Sequence, residues 1–393
     1  VVPLTGEKIR RMLGMEVDQK RVQETLDALG FTWESAGESE LKVTVPYWRN
    51  DVNIEEDLVE EVVRTIGYDS VPTTMLSSPI PFQQPVPVIG LRDQIKDLLA
   101  SEGIQEVINY PLVTLQQLEQ VEQLDPANLP MRVANPMSAD REYLRTTLRA
   151  SLLATLAANQ GHGAGPFRLF EAARVFWPRK DDLPDERETV AGVLAGLRHE
   201  PSWLEDDSLL DFYDAKGVVE LVLNRLGVSA TYEPSDDPSF HPGRCAVIKV
   251  ADAVIGVVGE VHPVVMDRLG LESPQVAAFE LYLGPILAAL PDEQQQFEPL
   301  PRYPSATRDL ALVMPTDVDA GQVTRLILRH RGVDRADLFD IYAGENIAEG
   351  TKSLAFHVYF QARDRTLTNE EVNRSLDGLL RILERELKVT LRA

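Results

Sequence analysis

The chain has 393 residues, with 39 Lys and Arg against 62 Asp and Glu and one cysteine, Cys245. That length predicts two to four domains, the lone cysteine excludes an intrachain disulfide or a cysteine-based zinc site, and no run approaches the ~20 apolar residues of a membrane span. The net charge of -23 argues against a nucleic-acid partner, since phosphate contacts need Lys and Arg. Its distribution softens that argument. Residues 301–393 hold 14 basic and 14 acidic residues, so the whole excess, 25 against 48, falls in residues 1–300. An RNA would meet the last segment. The sequence shows no signal peptide or basic amphipathic leader. It starts at Val1 and enters a helical pattern at once, as the interior of a longer polypeptide would.

Residues 1–75 read as a helix over 6–13, a helix over 18–29 with Val22, Leu26 and Leu29 along one side, strands over 31–34 and 41–45, and a helix that begins near Ile54 and stops at Gly67. Asn53 followed by Glu56 reads as its capping box. Val59, Val62, Val63 and Ile66 then recur at helical spacing, while Asp57, Glu60 and Glu61 share a neighbouring face. Asp51, just before the cap, is close enough to turn back and add a fourth carboxylate. Four carboxylates at this spacing repel one another, and Mg²⁺, a hard cation that takes oxygen ligands, would neutralise them. A solvated acidic helix is the other reading. The order of elements suits a small winged-helix module, but 8 basic against 15 acidic residues is the wrong field for DNA.

Residues 76–88, with Pro79, Pro81, Pro85 and Pro87, read as a stiff extended linker. An amphipathic helix over 89–102 then opens a domain expected to run to residue 290. Strands are expected over 107–110, 167–170, 190–196, 246–250, 254–259 and 277–283, with helices over 145–161 and 213–226, which predicts a mainly antiparallel sheet covered by helices. His241 and His262 each precede a proline and Glu260 lies close by, but no third metal ligand has useful spacing, so these read as turn residues. No Walker loop, nucleophile elbow or dinucleotide-binding turn occurs. Residues 291–302 read as a second linker. The last segment, 303–393, orders its elements βαββαβ, the ferredoxin-like arrangement, with Thr368 and Glu371 as a capping box on the final helix.

Several stretches carry a resemblance. Trp48-Arg49-x-Asp51, Asp57-Leu58-x-Glu60-Glu61 and Gly67-Tyr68 resemble the B5 domain of the phenylalanyl-tRNA synthetase beta subunit. Asn135 to Ser138, Leu144 to Leu148, Leu169 to Glu171, Asp211 to Gly217, His241 to Arg244 and Gly259 to Pro263 resemble its catalytic-like core. Tyr303-Pro304, Arg308 to Ala311, Leu338 to Asp340, Tyr342-x-Gly344, Lys352 to Ala355 and Asp364 to Thr368 resemble the ferredoxin-fold anticodon-binding domain of bacterial-type beta subunits. The three regions occur in family order and cover nearly the whole chain.

The resemblance implies an α+β multidomain chain: a winged-helix-like B5 module, a class II synthetase-like antiparallel sheet core without an active site, and a ferredoxin-like C-terminal domain. It implies a Mg²⁺ held by Asp51, Asp57, Glu60 and Glu61 and shared with the alpha subunit, activation of phenylalanine with ATP on alpha, an alpha2beta2 tetramer, and tRNA-Phe bound at its anticodon end in the cytoplasm. The core lacks the arginines a class II enzyme uses on ATP: Arg168 and Glu171 only superficially match the first element, and the strand Gly256 to Gly259 has no following arginine. The OB-type tRNA-binding and editing domains that precede B5 in the family have no counterpart in this sequence. In the strand Leu354 to Phe360, alternation puts Ala355, His357 and Tyr359 on one face, where His357 and Tyr359 can stack on unpaired bases with Arg308, Arg363 and Arg365 on phosphates; the other reading is that the two rings are ordinary amphipathic cover and that the arginines pair with Asp309 and Asp364. Rival readings are a winged-helix regulatory or binding protein and a free-standing metal-dependent hydrolase.

Overall fold

The computed structural model describes residues 1–393 except 76, 81–83, 123, 127, 162–165, 181, 201, 205, 292–296, 298, 345–346 and 393. Residues of both expected linkers, including Pro81 and the glutamines at 294–296, lie outside the described set. The chain divides into two compact units, Val1–Gln84 and Pro85–Ala393. Among the described residues no helix is long and apolar enough to cross a membrane.

In the first unit the order is β1 (Val2–Thr5), α1 (Gly6–Leu13), α2 (Gln19–Ala28), β2 (Thr32–Ser35), β3 (Glu40–Thr44) and α3 (Glu55–Ile66). β1 was not foreseen: four residues starting with Val-Pro show too little alternation. It pairs antiparallel with β3 as an edge strand, which is where Pro3 needs no ladder partner, and gives the sheet order β1-β3-β2. Leu4, Leu41 and Val43 of the sheet meet Ile9, Val22 and Leu26 and the α3 side chains Leu58, Val59 and Val62 in one core. Thr5 caps α1 by accepting the Lys8 N–H at 3.1 Å.

The second unit opens with α4 (Pro87–Ser101), whose first residue is a proline that the expected linker had claimed; proline suits the first helical position because its missing N–H would be unpaired there. Then follow β4 (Gln105–Glu106), β5 (Leu112–Val113), α5 (Leu115–Glu119), β6 (Tyr143–Leu144), α6 (Arg149–Gln160), β7 (Phe167–Trp177), β8 (Asp185–Ala195), α7 (Phe212–Arg225), β9 (Thr231–Pro234), β10 (Phe240–Val250), β11 (Ala253–Val261), α8 (Pro263–Leu269), β12 (Val276–Tyr282) and α9 (Leu283–Ala288). Residues 107–110, expected as a strand, are irregular; only Gln105 and Glu106 pair, parallel to β7. The sheet runs β4-β7-β8-β12-β11-β10-β9 and is otherwise antiparallel.

Both faces of that sheet are covered. Ile95 and Leu99 of α4, Val219 and Leu223 of α7 and Ile286 of α9 pack with Phe170, Ile248, Phe279 and Leu281 on one side. Leu152, Leu153 and Leu156 of α6 and Val265 of α8 pack with Leu169, Val193, Val257 and Ala278 on the other. Burial on both faces explains why β8 reads as a nearly continuous apolar run from Val190 to Ala195.

The last elements are β13 (Ala306–Pro315), α10 (Ala320–Arg329), β14 (Val333–Tyr342), β15 (Thr351–Phe360), α11 (Asn369–Leu387) and β16 (Thr390–Leu391), in the order βαββαβ, with strand order β14-β15-β13-β16. Leu310, Leu312 and Met314 of β13 and Leu354, Phe356, Val358 and Phe360 of β15 pack against Val323 and Ile327 of α10 and Val372, Leu379 and Leu383 of α11. The helices thus cover one face of this sheet.

Candidate functional site: the acidic helix, the core and the open sheet face

The acidic helix is organised around a cation that belongs to the chain. Arg49 donates from Nε to Asp51 Oδ1 at 3.0 Å and from Nη2 to Asp51 Oδ2 and Glu61 Oε1, both at 2.6 Å, with its guanidinium 5.5 Å from the centre of the Phe31 ring. Arg64 closes on the other oxygen of Glu61. The bond from Arg49 holds the Glu61 carboxyl below its ordinary pKa of 4.5, and the same guanidinium holds Asp51 below 3.8. Glu61 is 7 % exposed, so it is part of the packed side of α3 and not of a solvated face.

The expected capping box takes a different form. Asp57 Oδ2 accepts the N–H groups of Asn53 at 2.7 Å and Ile54 at 3.0 Å, while the Asn53 amide donates to the Asn50 carbonyl and Glu56 pairs with Lys8. The helix begins one residue later than expected because the aspartate at its third position reaches back over the first turn. Glu60 points to solvent. With Arg49 between Asp51 and Glu61, and Asp57 holding backbone N–H groups, the four carboxylates do not fit a divalent cation in this arrangement. Among the described residues no three His, Cys, Asp or Glu side chains gather as metal ligands.

In the core the charged side chains bind one another. Arg145 and Glu171, each 2 % exposed, meet at 2.8 Å, and Glu171 also accepts from the Asn109 side chain at 2.8 Å. Arg149 lies 3.2 Å from Glu280 and donates to Asp237 and Ser239, both at 2.9 Å. Glu280 in turn accepts from Thr147 Oγ1 and Leu148 N. Arg168 donates to the Arg198 carbonyl at 2.8 Å. His262 caps α8, accepting the Val264 N–H at 3.1 Å, and Glu260 takes Arg244 at 2.6 Å. His262, at the start of α8, is a structural residue as expected, while His241, expected in a turn, lies within β10 with Nδ1 2.6 Å from the Pro242 carbonyl oxygen.

Among the described residues, α10 and α11 pack on one face of the C-terminal sheet and the other face carries no helix in its core cluster. Register places four rows of side chains on it: Thr307, Tyr359 and Arg335; Asp309, His357 and Asp337; Ala311, Ala355 and Asp340; Val313, Ser353 and Tyr342. His357 and Tyr359 therefore share this face, as expected. His357 Nδ1 lies 2.7 Å from Asp309 Oδ1, and its ring is stacked by Phe339 with centroids 4.0 Å apart and planes 14° from parallel. A register shift between Leu338 and Asp340 lets Phe339 reach there. Arg335 lies 4.3 Å over the Tyr359 ring and Arg392 5.1 Å over that of Tyr342.

Arg308 departs from expectation. It sits inside β13 on the helix side, donating to Asn369 and Asn373 of α11 at 3.1 and 3.3 Å. Arg365 bonds Glu371 at 2.7 Å and holds its carboxyl down at about 2, inside the capping box that the Thr368 N–H completes at 2.9 Å. Arg363 lies exposed in the turn after β15. The cations on the open face are instead Arg335 and Arg392, which the reading of the sequence missed. Applying to residues 335–342 the alternation used for β15 would have pointed to Arg335, although not to the bulge that aims Phe339.

Comparison with known proteins matches these regions in order. Residues 2–68 match the tRNA synthetase B5 domain, residues 71–283 the phenylalanyl tRNA synthetase beta chain CLM domain, and residues 301–392 the ferredoxin-fold anticodon binding domain. The chain is similar over its whole length to the phenylalanine–tRNA ligase beta subunits of Dehalococcoides mccartyi, at 34% identity over 405 residues, of Halalkalibacterium halodurans, at 34% over 399, and of Pseudomonas putida, at 35% over 396. It spans about half the length of these relatives, 50%, 49% and 49% respectively. The matches do not support a winged-helix regulator. With one synthetase beta-chain model spanning more than half of its residues and two further synthetase domains on either side, this chain belongs to the phenylalanyl-tRNA synthetase beta-subunit family.

Proposed function

We propose that the chain is the C-terminal half of a phenylalanine–tRNA ligase beta subunit, acting in the cytoplasm in an alpha2beta2 assembly that uses ATP and Mg²⁺ to join phenylalanine to tRNA-Phe. In this reading residues 1–75 are a winged-helix-like B5 module, 76–88 and 291–302 linkers, 89–290 a class II-like scaffold that meets the alpha subunit, and 303–393 the domain for the anticodon end. The observation that carries the reading is the run of three synthetase domain matches in order along the whole chain. Consistent with a scaffold, the buried core charges pair with one another, Arg145 with Glu171 and Arg149 with Glu280. No chemical step is assigned to a side chain of this chain.

The Mg²⁺ expected at Asp51, Asp57, Glu60 and Glu61 stays a proposal for the assembled enzyme only, where Arg49 would have to give way. For RNA, the open sheet face is the proposed surface. Aromatic rings stack on any unpaired base, each worth about 1–3 kcal/mol, so a face with no net positive charge still binds single-stranded loops. Tyr359, His357 and Phe339 are the rings on offer, with Arg335 and Arg392 rather than Arg308 and Arg365 as cations.

Aminoacylation of tRNA-Phe by the alpha subunit with and without the complete beta subunit, and with beta lacking residues 301–393, tests the proposal. Loss of activity without beta and weakened tRNA binding in the truncation are expected. Unchanged tRNA affinity in the truncated assembly would overturn the RNA-binding role.

A further inference from the structure

One ring on the open face is already covered. Arg335 stands directly opposite Tyr359 across β14 and β15, its guanidinium lies 4.3 Å over the ring, and Asp337 Oδ2 holds it there at 2.6 Å. A guanidinium is flat and covers a ring face as a nucleobase would, so Arg335 and an incoming base compete for the same surface. The other arginines proposed for this domain are differently placed. Arg308 is tied to two asparagines of α11, and Arg365 to the carboxylate that caps that helix, so moving either disturbs the helix. Among the described residues Arg335, on the edge strand β14, is held by the half-buried Tyr359 and by the exposed carboxylate of Asp337, neither of which caps a helix.

Resting on the RNA-binding reading above, we infer that Arg335 is a displaceable cover over a base-stacking site on Tyr359. An unpaired base of the bound RNA takes the place of the guanidinium on the ring, and the freed guanidinium exchanges Asp337 for the phosphate of that nucleotide. The exchange is favoured because a base offers a larger flat surface than a guanidinium, and because a phosphate brings a full charge to a cation that leaves a solvent-exposed pair. It makes the face selective for RNA with unstacked bases: a duplex phosphate backbone offers nothing to replace the arginine on the ring. Without RNA the ring stays covered.

The experiment uses the full chain with an anticodon stem-loop carrying 2-aminopurine at one unpaired loop position at a time. Binding is expected to quench the probe at one position through stacking on Tyr359. Tyr359→Leu is expected to abolish that quench and Arg335→Ala to keep it, while Arg335→Ala weakens binding about 3- to 10-fold near 0.1 M salt and lowers the salt-dependence slope by about 0.7, the value for one single-strand phosphate. Arg335→Lys is expected to restore the slope, since a lysine also pairs with phosphate. If Arg335→Ala abolishes the quench, the base lies on the guanidinium and the exchange is wrong; an unchanged slope in that variant, or a quench that survives Tyr359→Leu, also overturns it. Failure of the underlying reading looks different: removal of residues 301–393 would leave the affinity for the stem-loop unaltered.

Discussion

Arg49 and Glu61 show how a single cation changes the meaning of an acidic helix. Counted along the sequence, Asp51, Asp57, Glu60 and Glu61 are a ligand set; in space, Arg49 joins the first to the last and leaves Asp57 to the backbone. Because the folded pKa of Glu61 lies below 4.5, its stabilising effect is complete above that pH and is lost as the pH falls through the lowered value. Asp51, Glu56 and Asp57 shift in the same direction. The protection factors of the α3 amides, their exchange rates relative to the unfolded chain at the same pH, are therefore expected to be flat above about pH 5 and to fall below it. Glu61→Gln should make that pH dependence shallower and cost about 1–2 kcal/mol at neutral pH, since it removes one charge-assisted partner of Arg49. Removing Mg²⁺ with EDTA should leave α3 exchange in the chain alone unchanged. Slower exchange on adding Mg²⁺ would mean that a cation displaces Arg49.

At the scale of elements, the middle of the core sheet is set by close approach between β8 and β12. Gly192 and Phe279 are directly opposite, and a Cβ on Gly192 would stand 2.4 Å from the Phe279 ring, which is fully buried and has nowhere to move. Gly192→Ala is expected to cost about 1–3 kcal/mol by overpacking, read as a lowered urea midpoint with an unchanged m-value. A neutral result would show that the β8–β12 layer relaxes. The same sheet shows why its strands were underestimated in length. β7 and β8 run 11 residues each: the outer part of β8, Asp185 to Glu188, is wholly charged and reads as loop, whereas that of β7, Arg174-Val175-Phe176-Trp177, is mostly apolar and its strand character was missed beyond Phe170. Ion pairs of Arg174 with Glu186 and Glu188 hold that extension together.

For the whole molecule, the arrangement of core charges bears on where the chemistry of the proposed ligase takes place. Glu171 is bound by Arg145 and Asn109, and Arg168 by a carbonyl, so neither is left to grip a nucleotide. The chain, prepared free of the alpha subunit, is expected to show no phenylalanine-dependent exchange of pyrophosphate into ATP. Measurable exchange would place an activating site on this chain. The charge balance points the same way for RNA: the acidic excess lies in residues 1–300, while the C-terminal segment is neutral and presents its rings on an open sheet.

Local patterns were legible where one short segment decides the outcome. The helix of α1, the capping box of Thr368 and Glu371, the βαββαβ order and the facing of His357 and Tyr359 each follow from spacing within a few residues, because a cap or an alternation is a property of adjacent backbone. What the sequence could not settle is which distant groups meet. Asp57 rather than Asn53 closes the cap of α3, Arg308 turns to α11, and a bulge in β14 brings Phe339 onto His357. A charge binds whichever opposite charge or donor packing brings within about 3 Å, and that distance is set by the contact of elements far apart in the chain. The sequence by itself determined the elements, the order of the three regions and their family; the tertiary structure decided that the acidic residues answer to Arg49 and that the sheet face carries Arg335 over Tyr359.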